Sequence, residues 1–562
     1  MKYFIITNLI ILSVCRLFGQ NTIKPIVESN NGMVVSTHPI ASKVGVEVLQ
    51  KGGNAIDAAV AVNFALAVVH PAAGNIGGGG FLVYRNSAGE KFALDYREKA
   101  PGKGSRDMYL DQNGNAIPEK SQSGILSVGV PGTVAGVYEM HQKFGKLPWR
   151  EIVHPSVVLA RDGVELTEKE ARGLNRQKNE FIKYNPGKTY LLNELGEWKK
   201  GDLLIQNDLA KSLEKIESKG WKGFYKGKIA RLIVKENKKL GGLITKKDLR
   251  NYRAVWRSPI VTNYKNYKVI GMPPPSSGGV ALGQLLEMVE KYPLSKWGIQ
   301  SDSSIQVMVE AERRVYADRA KWLGDPDFVK VPTKELLDSI YCTQRMSTMN
   351  FEKATSSDAI SAGQFPGYES PETTHFSIVD AEGNAVSITT TLNNSYGSKV
   401  FVGKAGFLLN DEMDDFSAKP GAPNLYGLIG SKANEIQPHK RMLSSMTPTI
   451  VEENNQLKLV VGTPGGSTII TSVFQTTLNV LEFGKNMQEA VEFPRFHHQW
   501  KPDKINFENN RFSKEQQIRL QQKGYQFNPV GGIGLVEGIL VLPNHRLQGG
   551  ADSRGDDTAY GY

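Results

Sequence analysis

One junction constrains this chain more than any other. The stretch Ala354–Glu372, ATSSDAISAGQFPGYESPE, is rich in Ser, Gly and Pro and has no period, so it reads as a loop. It runs directly into Thr373-Thr374-His375-Phe376-Ser377-Ile378-Val379-Asp380, where the period becomes two. After Ala381-Glu382-Gly383 a second alternating run follows, Asn384-Ala385-Val386-Ser387-Ile388-Thr389-Thr390-Thr391. Both flanks carry the β-branched residues that strands favour. The middle fits a three-residue hairpin loop with Gly383 at the left-handed position. In that register 380 opposes 384, and Thr373 faces Thr391. One face then carries Phe376, Ile378, Val386 and Ile388. The other carries Thr373, His375, Ser377, Ser387, Thr389 and Thr391. Opposed Cβ atoms lie about 4.5–5.5 Å apart, within reach of a hydroxyl–hydroxyl bond. Cross-strand threonines also simply stabilise sheets, so the hairpin by itself leaves both readings open.

Helical patterns occupy roughly 40–70, 130–250 and 300–350, and Ala55–Val69 reads as a buried helix despite Asp57 and Asn63. Pro273-Pro274-Pro275-Ser276-Ser277-Gly278-Gly279 reads as a rigid loop opening a helix. The chain has 562 residues, 40% hydrophobic and 22% charged, enough for a large core. A mean hydropathy of −0.33 excludes a polytopic membrane protein. The net charge of +11 is dispersed, without the basic run or helix that nucleic-acid binding needs. Met1-Lys2, an apolar dozen and Gly19 fit a secretory leader over 1–19, so an exported, periplasmic or extracellular protein is expected. Leu12-Ser13-Val14-Cys15 offers a lipoprotein signal as the alternative, against which the bulky Val14 counts. Without Cys15 the mature chain keeps Cys342 alone, which makes neither an internal disulfide nor a zinc cluster. His497-His498 lacks the further ligands of a metal site, and no phosphate loop is present. No metal and no cofactor is expected.

Several blocks stand in a fixed order along the chain: Gly52-Gly53-Asn54-Ala55-Ile56-Asp57, Gly77-Gly78-Gly79-Gly80-Phe81, Asp95-Tyr96-Arg97-Glu98, Thr373–Asn393, Asn410–Phe416, Arg441–Met446, Gly462-Thr463-Pro464-Gly465-Gly466-Ser467 and Pro494–Trp500. Together they resemble the γ-glutamyltransferase (γ-glutamyltranspeptidase) family of the N-terminal nucleophile hydrolase superfamily. The resemblance implies an α+β fold, the four-layer αββα sandwich. It implies a precursor that cuts itself between Glu372 and Thr373, giving a large subunit (20–372) and a small subunit (373–562) that together build one sandwich. Thr373 would be the nucleophile. Its newly freed α-amine, with an ordinary pKa near 8, would be the base that a peptide nitrogen cannot be. Thr391 would orient its hydroxyl, and Gly465 and Gly466 would form an oxyanion hole, where one donor contributes about 3–4 kcal/mol. Arg97 would grip the substrate α-carboxylate as a planar fork, helped by Ser444 and Ser445. Asn393, Glu412 and Asp415 would accept from the α-ammonium at the opposite end of the pocket. Some bacterial members carry Gln where Glu412 stands, and either accepts. Lys419–Gly427 resembles a lid loop, with Tyr426 walling the pocket. Its presence argues for small γ-glutamyl compounds over cephalosporin-type ones. The expected partners are glutathione and related γ-glutamyl compounds, water, and amino-acid or dipeptide acceptors. An acylase of the same superfamily and a silent binding protein are the competing readings.

Overall fold

Alternating segments and uninterrupted apolar runs both become strands here, and they sort into two sheets. The computed structural model describes residues 24–187, 189–361, 372–418, 432–509 and 512–562. The expected leader with Cys15, and the expected lid with Tyr426, lie outside the described residues.

One seven-stranded sheet runs, edge to edge, Thr558–Gly561, Met33–Ser36, Glu372–Val379, Ala385–Asn393, Gly79–Arg85, Lys91–Asp95, Val255–Arg257. The other runs Val27–Ser29, Leu547–Ala551, Glu537–Val541, Gln456–Gly462, Thr449–Glu453, Tyr267–Gly271, Ile260–Tyr264. All neighbours in both are antiparallel. Phe376, Ile378, Val386 and Ile388 turn outward from the first sheet onto a core shared with helices Pro39–Gln50 and Ala55–Val69. Met33, Val35, Phe81 and Val83 point the other way, into a core shared with the second sheet and with helices Gly278–Glu290, Asp302–Trp322 and Thr468–Leu481. The layers are therefore helix, sheet, sheet, helix, as expected.

The hairpin holds its expected register from Thr374↔Thr390 to Val379↔Ala385. Gly383 has φ +82°, its N–H donates to Asp380 O at 3.1 Å, and the Asp380 carboxylate accepts from the Glu382 and Asn384 N–H groups. The other Asp380 oxygen accepts from Ala55 N at 2.8 Å, tying the hairpin tip to the start of the buried helix. The polar face of the hairpin does not meet water. Ser377 Oγ donates to Glu537 O at 3.1 Å and Ser387 Oγ to Val461 O at 3.2 Å, both in the opposite sheet. His375 bridges Thr389 Oγ1 (2.9 Å) and Ser377 Oγ (3.1 Å). Burial keeps its imidazole neutral, lowering its pKa to about 3.

One expectation needs correcting. Strands are not confined to the chain after 374: seven of those in the two sheets precede it. Met33-Val34-Val35 and Gly79–Arg85 are buried on both faces, so they read as apolar runs without alternation.

Candidate active site

Thr373 stands one residue into its strand and lines a cleft of about 680 Å³, to which Gly465 and Thr468 also contribute. The expected direct pairing of Thr373 with Thr391 does not form. Glu372 pairs with Asn393 and Thr374 with Thr390, so Thr373 alone opposes two residues, Thr391 and Leu392. The reason is local. Thr391 Oγ1 accepts the Asn393 N–H at 2.7 Å, and Asn393 takes φ +79°, a conformation Asn tolerates better than most residues. The strand ends in a bulge, a device that re-aims side chains at a sheet edge. Asn393 is further fixed by donation from Nδ2 to Asp411 O at 3.1 Å. Next to Thr373, the Thr374 hydroxyl contacts Thr37 Oγ1. Thr37 carries no signal in the sequence, because a lone threonine after a strand has no distinguishing pattern.

Gly465 and Gly466 have φ +139° and +58°, and lead through Ser467 into helix Thr468–Leu481. A Cβ at Gly465 would sit 2.6 Å from Thr468 Oγ1, the hydroxyl that bonds Gly465 O at 2.8 Å. Neither glycine N–H donates to another group among the described residues. A pair of backbone donors at a helix start is suited to an anionic oxygen. The turn is braced from behind. Tyr316 OH donates to Ser467 O, and Ser467 Oγ and His497 Nε2 both meet Gln499 Oε1, at 3.0 and 2.9 Å. His497 Nδ1 accepts from Thr471 Oγ1 at 2.9 Å, and burial lowers its pKa to about 4. The adjacent His498 pairs with Asp503 at 3.1 Å. The two histidines therefore serve separate protein networks, and no metal-type cluster occurs among the described residues.

Arg97 follows strand Lys91–Asp95, and its backbone is clamped. Its N–H donates to Asp95 Oδ1 at 3.0 Å, and its carbonyl accepts from Tyr252 OH at 2.6 Å. The guanidinium forks onto Glu412 through Nη1 and Asp415 through Nη2, and Nη2 also reaches Leu443 O at 3.2 Å. All three charged groups are buried. The expectation of opposite charges at opposite ends is thus replaced by direct contact. One 3₁₀ turn, Glu412–Asp415, presents both carboxylates to one planar cation. Leu443 leads into Ser444-Ser445, which pack on the Pro275–Ser277 loop. Ser277 N donates to Ser444 O at 2.6 Å, and Arg319 bridges Ser277 Oγ and Ser445 Oγ at 2.8 and 2.9 Å. Glu98 is buried beside Arg97, and its carboxyl is raised to about 8 chiefly by desolvation, against the pull of Arg97. The sequence displays Glu98 beside Arg97 but gives no sign that burial pushes its carboxyl up.

Of the expected residues, then, Thr373 and Gly465 share one cleft, with Gly466 next in the turn. Thr391 and Asn393 are bonded at the bulge. Arg97, Glu412 and Asp415 form one cluster that touches the Leu443–Ser445 segment. Glu372 begins the strand that carries Thr373.

Two stacked antiparallel sheets between helix layers, with a threonine at the head of a central strand, define the N-terminal nucleophile hydrolase class. The cephalosporin acylase of Bacillus halodurans has this fold, at a TM-score of 0.83 and 24% identity over 96% of this chain and 97% of that one. The family profile described as Gamma-glutamyltranspeptidase matches residues 41–562, and the chain belongs to that family. It is 46% identical over 538 residues to the glutathione hydrolase proenzyme of Escherichia coli strain K12, covering 95% of this chain and 93% of that protein. A solved chain of Helicobacter pylori gamma-glutamyltranspeptidase is 46% identical, with a TM-score of 0.59, over 60% of this chain and 97% of its own length.

Proposed function

We propose that this protein is a self-processing γ-glutamyltransferase that cleaves γ-glutamyl amides such as glutathione. The observation that carries the reading is the placement of Thr373 at the head of a central strand, in one cleft with the Gly465–Gly466 turn. Family membership supports it, as does the proenzyme character of the E. coli relative. The H. pylori chain corresponds to 60% of this one, a share close to that of residues 20–372.

In the mechanism, the Thr373 hydroxyl first attacks the Glu372 carbonyl carbon, the C–N bond breaks to free the Thr373 α-amine and leave an ester, and water hydrolyses that ester to the Glu372 carboxylate and the free hydroxyl. That amine takes the proton of Thr373 Oγ, and the oxygen attacks the γ-carbonyl carbon. The developing oxyanion is met by the Gly465 and Gly466 N–H groups. The C–N bond breaks, the amine proton passes to the leaving nitrogen, and a γ-glutamyl ester of Thr373 remains. Water or an acceptor amine then attacks the same carbon. Arg97 holds the α-carboxylate with Ser444 and Ser445, and Glu412, Asp415 and Asn393 hold the α-ammonium. A free amino acid carries both charges close together on one carbon, so a compact Arg–Glu–Asp cluster suits it. The zwitterion exchanges into contacts that the cluster already makes internally.

N-terminal sequencing of the purified protein after a denaturing gel tests the reading. The small fragment is expected to begin Thr-Thr-His-Phe, and processed protein to release anilide from a γ-glutamyl anilide. Thr373→Ala is expected to stay as one chain without activity. A Thr373→Ala protein that is cut and active would overturn the mechanism.

A further inference from the structure

One wall of the cleft at Thr373 is a helix that the reaction described above does not use. Helix Glu168–Arg176 contributes Lys169, Glu170, Gly173 and Arg176 to the lining. These positions are i, i+1, i+4 and i+7, one stripe of a helix. The helix is anchored at its start by a reciprocal cap between Thr167 and Glu170, and Thr167 Oγ1 donates to Asp556 at 2.8 Å. The acids of the cleft are thereby engaged. Asp556 takes the Thr167 hydroxyl, and Glu170 is buried against Thr167 and His38. Arg554, on the opposite wall, is fixed between Glu508 and Asp552. Lys169 and Arg176 differ. Both are exposed, and neither enters an ion pair among the described residues. They are two cations about 10.5 Å apart along the helix, facing the cleft that ends at Thr373.

None of Arg97, Glu412, Asp415, Ser444 and Ser445 lines this cleft, so the proposed glutamyl contacts leave its walls to another part of the substrate. With its glutamyl part held by Arg97 as proposed above, a γ-carbonyl at Thr373 has its amide nitrogen toward the cleft. The leaving amine departs along that direction. By microscopic reversibility an acceptor amine attacks from it, forming the new C–N bond as the C–Oγ ester bond breaks and giving up its proton to Thr373 through the α-amine. A dipeptide spans about 7 Å when extended, well within the cleft.

We infer that the cleft beside helix Glu168–Arg176 is the leaving-group and acceptor subsite, and that Lys169 and Arg176 recognise the terminal carboxylate of a short peptide bound there. The assignment rests on the transferase reading above and adds the residues that recognise the acceptor.

The test compares two acceptors that differ only at that carboxylate, glycylglycine and glycylglycine amide, on processed enzyme charged from a γ-glutamyl anilide. Wild type is expected to favour the free carboxylate in kcat/KM by about tenfold or more, the scale of a charge-assisted contact. In the double variant Lys169→Ala/Arg176→Ala the ratio between acceptors is expected to fall to about twofold. The charge-keeping pair Lys169→Arg/Arg176→Lys is expected to keep it. Because the readout is a ratio within one protein, a general loss of folded enzyme does not imitate it. Wild type indifferent to the carboxylate, or an alanine pair that still discriminates, overturns the assignment while the anilide is still cleaved. A chain that neither cuts itself nor releases anilide overturns the function on which it rests, and the assignment with it.

Discussion

At the scale of the residue, the proposed function assigns substrate orientation to Arg97. Its two Nη groups engage two carboxylates on a single 3₁₀ turn, a geometry that a planar fork satisfies and a point charge does not. Removing it outright would leave Glu412 and Asp415 buried without their cation, at about 3–5 kcal/mol, and would confuse binding with folding. Arg97→Lys separates them. The variant is expected to cut itself at Thr373 but to show a KM for a γ-glutamyl anilide raised on the order of 10–100-fold, with kcat changed much less. An unchanged KM would remove Arg97 from the substrate. Residues of this kind leave no trace in periodicity. Arg97, Ser444 and Glu412 become legible only through the motif blocks around them, because a buried ion cluster assembles segments more than 300 positions apart.

At the scale of the element, the hairpin was the most legible part of the chain. Turn chemistry at Asp380 and Gly383 sets the register, and two-residue alternation sets the faces. Its upper end was not legible. The bulge at Thr373 depends on a side-chain bond from Thr391 Oγ1 and on a left-handed Asn393, neither of which alternation encodes. The strands before 374 were hidden for another reason, being buried on both sides. Besides the Ser377 and Ser387 bonds, the hairpin meets the second sheet where His375 packs on Gly462. A Cβ at Gly462 would lie 2.2 Å from His375 Cε1. His375 is two residues from Thr373 and already bonded to Thr389 and Ser377, so it has little room to yield. Gly462→Ala is therefore expected to cost about 1–3 kcal/mol as overpacking. Autocleavage in the variant is expected to be slower, followed as the half-time of appearance of the small fragment. Normal stability and normal cleavage together would show that the sheets can part at this point without consequence.

At the scale of the whole molecule, burial has left two opposed sets of titrating groups. His38, His497 and His498 are lowered to about 4, and His70 and His375 to about 3, mainly by desolvation. They stay neutral in the folded state, whereas the unfolded chain takes up protons below about 6.5. Their effect is stability lost as pH falls from about 6.5 toward 4. The carboxyls of Asp411 and Asp557 are raised to about 6, of Glu170 and Asp414 to about 7, and of Glu98 to about 8, again with desolvation the largest cause. The folded state holds protons that the unfolded chain has already shed, so stability present below the unfolded carboxyl pKa is lost as pH rises through the folded values. Between about pH 4.5 and 6.5 the two sets oppose one another, and above 6.5 only the carboxyls act, up to about pH 8. Thermal unfolding is therefore expected to show its highest midpoint near pH 6.5, with a decline toward 8. Glu312 and Glu537 are likewise held well above the ordinary carboxylate range by burial, and Glu98 is the member of this set that faces Arg97, Glu412 and Asp415. Glu98→Gln keeps the shape of the neutral acid and has no proton to lose. The difference in unfolding midpoint between the variant and wild type is expected to widen in the variant's favour as pH rises from 6 to 8. Parallel curves across that interval would mean that Glu98 is ionised in the folded protein, and the buried cluster around Arg97 would then carry three carboxylates instead of two.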